Sequence, residues 1–127
     1  MNTANKDAKK LLVEQFLNDF KATIANQRPY VIPRNKNLAT LSELGLTFTD
    51  QHNTILQLSA EDYVSGPDPD HQRPGEVWVF GKQLLANEIY IKLKLVEYQP
   101  CDSTGRVKQP ICLSFHITEQ PLNYPLK

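Results

Sequence analysis

The chain has 127 residues, 40% of them hydrophobic and 22% charged, which is the make-up of one ordinary folded domain with enough material to bury a core. Fourteen Lys/Arg balance fourteen Asp/Glu, for a net charge of zero, so the chain lacks the overall basic excess of most nucleic-acid binders. No apolar run approaches the roughly 20 residues that a membrane helix needs.

In chain order, residues 1–26 read as an N-terminal helix. Leu12, Val13, Phe16, Leu17, Phe20 and Ile24 recur at helical spacing over residues 6–25, with Asn5 as N-cap and Arg28-Pro29 as the stop. Residues 27–39 carry two prolines, several asparagines and several basic side chains. They read as a loop with a short extended stretch at Tyr30 to Ile32. A sheet-containing core then spans residues 40–118. Thr40 and Glu43 form the signature of a capped short helix ended by Gly45. Asn53 to Leu58 reads as a strand and Ser59 to Asp62 as a capped helical turn. Residues 65–75 (SGPDPDHQRPG) read as a loop within the domain.

Three alternating segments follow. Val77 and Val79 oppose Trp78, Phe80 and Lys82. Ile89, Ile91, Leu93 and Leu95 oppose Glu88, Tyr90, Lys92 and Lys94. Ile111, Leu113 and Phe115 oppose Cys112, Ser114 and His116. Period-two patterns of this kind mark strands covered on one side. Residues 119–127 are a C-terminal tail. The fold class expected is α+β, a single domain with N-terminal helices packed on a curved antiparallel sheet.

The first residues, MNTANKDAKKLL, lack an apolar segment followed by a small-residue cleavage site, so no secretory signal is expected. Cys101 and Cys112 make no disulfide framework. In a hairpin turning near Thr104, Cys112 faces Val96 rather than Cys101. A cytoplasmic protein in a reducing compartment is the expectation.

Charge is unevenly placed. Glu61, Asp62, Asp68, Asp70 and Glu76 crowd the middle. Residues 77–116 hold Lys82, Lys92, Lys94, Arg106 and Lys108 against Glu88, Glu97 and Asp102. If the strands joined by Gln83 to Asn87 pair in the simplest register, Lys82 lies beside Glu88, Phe80 beside Tyr90 and Trp78 beside Lys92. One face then presents Trp78, Phe80, Lys82, Tyr90, Lys92, Lys94, Ser114 and His116. Aromatic rings can stack on unpaired bases, lysines can neutralise phosphates, and a histidine with a tyrosine can move protons. Those are the components for cutting single-stranded RNA without a metal or other cofactor. Trp78 and Phe80 equally suit a second hydrophobic layer, and Lys92 and Lys94 a solvated face. His52, His71 and His116 with Asp68 and Asp70 lack metal-ligand spacing, and no phosphate-binding glycine loop or nucleophile elbow is present.

The segments LSELGL (Leu41 to Leu46), NTILQLS (Asn53 to Ser59) with EDY (Glu61 to Tyr63), EIYIK (Glu88 to Lys92) and ICLSF (Ile111 to Phe115), in that order, resemble the MqsR family. The similarity covers roughly residues 38–118, with insertions around residues 65–75 and 99–109. The family comprises RelE-like mRNA-cleaving toxins of type II toxin–antitoxin pairs. The resemblance implies an endoribonuclease with an RNA substrate, neutralised by a cognate antitoxin protein of helix-turn-helix type, and with no membrane partner. By position, Tyr90 matches a tyrosine the family uses in activity, Lys92 follows it as in the family, and His116 stands where the family has a lysine. The shared strand face and the resemblance together point to Tyr90, His116, Lys92 and Lys82 as catalytic, with Trp78, Phe80, Lys94, Arg73 and Ser114 binding substrate. Two family polar positions fall near Val64 and Val79, which cannot do that work. Lys82, Arg73 and His71 are the neighbours available to substitute. These departures leave open a catalytically altered or inactive member that serves as a protein-interaction module. A metal-dependent hydrolase using Asp68, Asp70 and His71 is a further alternative.

Overall fold

A computed structural model describes residues 2–101 and 105–127. It is an α+β fold in which three helices precede most of a five-stranded sheet. The helices are α1 (Thr3–Thr23), α2 (Asn35–Leu44) and α3 (Phe48–Leu56), with a 3₁₀ turn at Ala60–Asp62. The strands are β1 (Tyr30–Val31), β2 (Tyr63–Pro69), β3 (Glu76–Leu84), β4 (Asn87–Tyr98) and β5 (Val107–Ile117), in the order β1-β5-β4-β3-β2. The sheet is mixed rather than wholly antiparallel, because the short β1 runs parallel to β5. The expected turn near Thr104 lies outside the described residues.

Helix α1 forms where its periodicity predicts, but begins earlier. Asn2, not Asn5, is the N-cap, and its side chain accepts the Asn5 N–H at 2.9 Å. Val13, Leu17, Phe20 and Ile24 are buried, whereas Leu12 is exposed. Phe16 stacks on Trp78 with ring centroids 4.8 Å apart. Helix α2 starts at Asn35, inside the segment read as loop. Thr40 is buried within it rather than capping it, and Gly45 ends it in the left-handed region, as expected. The segment read as a strand, Asn53 to Leu58, is mostly helical: α3 opens on a capping box between Thr47 and Asp50. That box has Asp rather than the usual Glu or Gln at its third position, and the apolar run Ile55 to Leu58 is too short to reveal its period. The capped turn at Ser59 to Asp62 is present.

The expected loop at residues 65–75 begins as strand β2, with two irregularities against β3. It is an edge strand, where Pro67 and Pro69 are tolerated. The β3–β4 hairpin overturns the simplest register. Its turn is Leu85-Ala86, both at positive φ (50° and 67°), so Leu84 pairs with Asn87 and Phe80 with Ile91. Sequence reasoning looks for Asn-Gly at such a turn, and none is present. The one-residue slip puts Trp78, Phe80 and Lys82 level with Leu93, Ile91 and Ile89 under the helices.

In β5 the ladder runs from Lys92↔Ser114 to Leu93↔Cys112, so Leu113 is the extra residue of a bulge. The bulge splits the expected apolar face. Phe115 and Cys112 are buried in the core, while Ile111 and Leu113 line a depression on the opposite face. Val96 pairs with Gln109 rather than Cys112, and both cysteines are free. Beyond the end of β1, helix α2 covers the edge of β5. The Asn37 amide, 1% exposed, donates to the Leu113 carbonyl at 3.1 Å and accepts the Phe115 N–H at 2.9 Å. The Thr40 hydroxyl accepts the Ile117 N–H at 3.2 Å. These bonds satisfy an edge that would otherwise be left unpaired.

Candidate functional site

The sheet face away from α1 carries a groove of about 450 Å³. Tyr90 and Lys92 of β4 and Ser114 and His116 of β5 form its floor, because Tyr90↔His116 and Lys92↔Ser114 are directly paired residues. Arg34 and Lys36 rise on one side from the start of α2, and residues 118–122 of the tail form the other. The tail is fastened beside the groove by Glu88, whose carboxylate accepts the Leu122 N–H at 2.9 Å and the Tyr124 hydroxyl at 2.7 Å. Gly81, directly opposite Tyr90, allows this. A Cβ there would meet the Tyr124 hydroxyl and lie 2.7 Å from Leu122 Cδ1.

The Tyr90 and His116 rings stack at 5.3 Å with 20° between planes. The Nδ1 of His116 lies 3.0 Å from the Ile117 carbonyl oxygen. A carbonyl only accepts, so in the neutral ring Nδ1 carries the proton and Nε2 is the basic atom. Burial pushes the Tyr90 phenol above its usual range; the nearby Arg34 charge opposes this and Asp68 adds to it. Tyr90 therefore stays protonated near neutral pH and can give a proton rather than take one. The cations Arg34, Lys36 and Lys92 share the groove with one acid, Glu119, which pairs with Lys36 at 2.6 Å. Both members of that pair are mostly exposed, so the bond is weak and exchangeable. This pairing holds the Glu119 carboxyl below its usual range.

Four of the residues singled out from sequence, Tyr90, Lys92, His116 and Ser114, thus meet in one groove. Trp78, Phe80 and Lys82 do not join them. Trp78 and Phe80 pack in the core against Phe16 and Tyr63. The Lys82 ammonium reaches Asp62 at 3.2 Å on the helix side of the sheet. All three were assigned to the wrong face by the one-residue register difference. Lys82 is therefore not available to replace the polar group missing at Val79, which pairs with Lys92. Lys94 and Arg73 line a second depression farther along the open face, where Lys94 is buried against Asp70 at 2.7 Å. Among the described residues no three His, Cys, Asp or Glu side chains come together, so His52, His71, His116, Asp68 and Asp70 do not converge.

Arg34, Lys36 and Glu119 escaped the sequence reading. Arg34 and Lys36 sit in the segment read as loop and Glu119 in the tail, and only the docking of α2 and the tail beside β5 brings them to the groove. The one signal was the density of basic residues after Arg28.

No helix among the described residues is long and apolar enough to cross a membrane. Comparison with protein-family models, with curated proteins and with solved structures gives no match.

Proposed function

We propose that this protein is a metal-independent endoribonuclease that cuts mRNA as the toxin of a toxin–antitoxin pair. The observation that carries the reading is the stacked Tyr90–His116 pair in a groove with Arg34, Lys36 and Lys92. The order of MqsR-like segments around Tyr90 and Lys92 adds to it.

Cleavage requires a base for the ribose 2′-hydroxyl, positive charge for the phosphorane and an acid for the departing 5′-oxygen. His116 Nε2 takes the 2′ proton, and the 2′-oxygen attacks the adjacent phosphorus. Lys92 and Arg34 hold the non-bridging oxygens as their charge grows. Tyr90, kept protonated by burial, gives its proton to the 5′-oxygen as the P–O bond breaks. The products are a 2′,3′-cyclic phosphate and a free 5′-hydroxyl. The His116 imidazolium then releases its proton to water and the Tyr90 phenolate takes one from water, which restores both groups. A cognate antitoxin would silence the enzyme by covering this groove.

The test is incubation of the purified protein with single-stranded RNA in a chelator. Cyclic-phosphate ends should appear, and His116→Ala or Tyr90→Phe should slow cleavage by about 100-fold or more. Intact RNA with the folded protein, together with harmless overexpression in bacteria, would reject the enzyme and leave a protein-interaction module.

A further inference from the structure

Gln51 and His52 mark a part of the molecule that the groove does not use. Among the described residues, Gln51 Nε2 and His52 Nδ1 are the buried side-chain atoms that lack a hydrogen-bond partner. Native interiors rarely leave such groups unpaired, because a buried donor without an acceptor has given up its bond to water and gained none. The two residues are neighbours in α3, and both line one pocket of about 200 Å³ between that helix and the edge strand β1. Gln51 is 2% exposed. No residue lining this pocket also lines the Tyr90–His116 groove, so the two sites are separate.

The pocket offers donors and rings. Phe48, Gln51 and His52 share one face of α3, at positions i, i+3 and i+4. Arg28 and Tyr30 stand on the β1 side. No Asp or Glu is among the residues lining it. An amide nitrogen only donates, and Nδ1 of histidine donates when it carries the ring proton. Arg28 gives one guanidinium N–H to the Thr49 hydroxyl at 2.6 Å, and its other N–H groups can serve a second acceptor. One fixed cation with two nitrogen donors suits a carboxylate, whose two oxygens accept from several donors at once. The Phe48 and Tyr30 rings, 58% and 56% exposed, supply apolar walls that favour an aromatic body. Phe48 is also the part of the lining with room to swing aside as a ligand reaches the buried nitrogens. Size narrows the choice. A cavity of about 150 Å³ admits benzene, so this pocket holds one ring with a carboxyl group and little more.

We propose that the pocket between α3 and β1 is a binding site for a small aromatic carboxylate. The carboxylate accepts from Gln51 Nε2, His52 Nδ1 and Arg28, and the ring lies against Phe48 and Tyr30. The site stands independently of the endoribonuclease reading.

The probes are benzoate, benzamide, acetate and inorganic phosphate, added to the full chain while the side-chain nitrogen resonances of Gln51 and His52 are followed by NMR. Benzoate should shift both resonances saturably and bind about tenfold or more tightly than benzamide, which lacks the charge, or acetate and phosphate, which lack the ring. Arg28→Ala changes an exposed side chain and should weaken benzoate by about tenfold. Gln51→Met keeps the length of the side chain but removes its polar atoms. It should abolish the benzoate-induced shift at His52 and raise the melting temperature of the free protein, because an unpaired buried donor is gone. A purely structural amide would instead lose stability on that change, and such a loss overturns the proposal. So do unmoved resonances with benzoate, equal binding of benzamide, acetate or phosphate, and undiminished benzoate affinity in Gln51→Met.

Discussion

On the helix-covered side of β3 and β4, Trp78, Phe80, Ile89, Ile91 and Leu93 pack beneath α1; on the other side, Gly81, Tyr90 and Lys92 face the groove and the C-terminal tail. Both faces come from the same alternating strands, and residues one position apart have opposite fates. Phe80 is fully buried while its neighbour Gly81 sits opposite Tyr90. Composition does not separate the faces, since each carries an aromatic and a lysine. Lys82 is held by Asp62 on the helix side, and Lys92 faces the groove. Hairpin register decides which aromatic is core and which can meet a substrate.

The largest expected effect on stability tests that division directly. Phe80→Ala should cost about 3–5 kcal/mol in urea unfolding, because it empties a fully enclosed site. Lys92→Ala should cost under about 1 kcal/mol yet weaken RNA binding, since its side chain contributes to the groove rather than the core. Equal destabilisation by both would break the comparison.

The hairpin turn offers a stabilising test. Leu85 and Ala86 both occupy positive φ, which costs energy for side chains with a Cβ. Replacing the pair by Asn-Gly should raise stability by about 1 kcal/mol or more without altering the register. A loss of stability would show that the turn is held by contacts other than its backbone geometry.

The open face also carries an acid-sensitive element. Asp70 is held down at about 2, first by its bond from Lys94 and next by the Gln72 N–H. A depressed carboxyl contributes stability that is fully present above its ordinary value, near 3.8, and is lost as pH falls through about 2. Urea midpoints of the unaltered protein and Asp70→Asn should therefore differ most above pH 4 and converge towards pH 2. A constant difference across that range would mean the bond to Lys94 adds nothing.

The smallest effect is expected at the rim. Glu119→Gln frees Lys36 from an exposed pair and removes the groove's acid. RNA affinity should rise by about two- to fivefold at low salt and return towards the starting value as salt screens the groove. Weaker binding would show that Glu119 positions the tail rather than competing with phosphate.

Much of the fold was legible in local signals. Apolar spacing marked α1, Gly45 marked the end of α2, and alternation marked β3, β4 and β5. Where those signals were absent, the reading failed for physical reasons. Asp50 stands where a capping box usually has Glu or Gln, so the start of α3 carries no clear signal and its end, from Asn53, reads as a strand. Leu85-Ala86 makes a turn usually given to Asn-Gly, so the hairpin was set one residue out. The bulge at Leu113 leaves no mark on the alternation of Ile111 to His116.

By itself the sequence determined that Tyr90 and Lys92 share the polar face of β4, because successive residues of a regular strand alternate between its faces. Tertiary structure alone decided their company. Pairing of β4 with β5 supplied His116 and Ser114, and docking of α2 through Asn37 and Thr40 brought Arg34 and Lys36 to the rim. The β3 register removed Trp78, Phe80 and Lys82 to the far side. Side-chain direction along one strand is a local property of the backbone, whereas the partner across the ladder depends on turns, bulges and edges that many residues determine together.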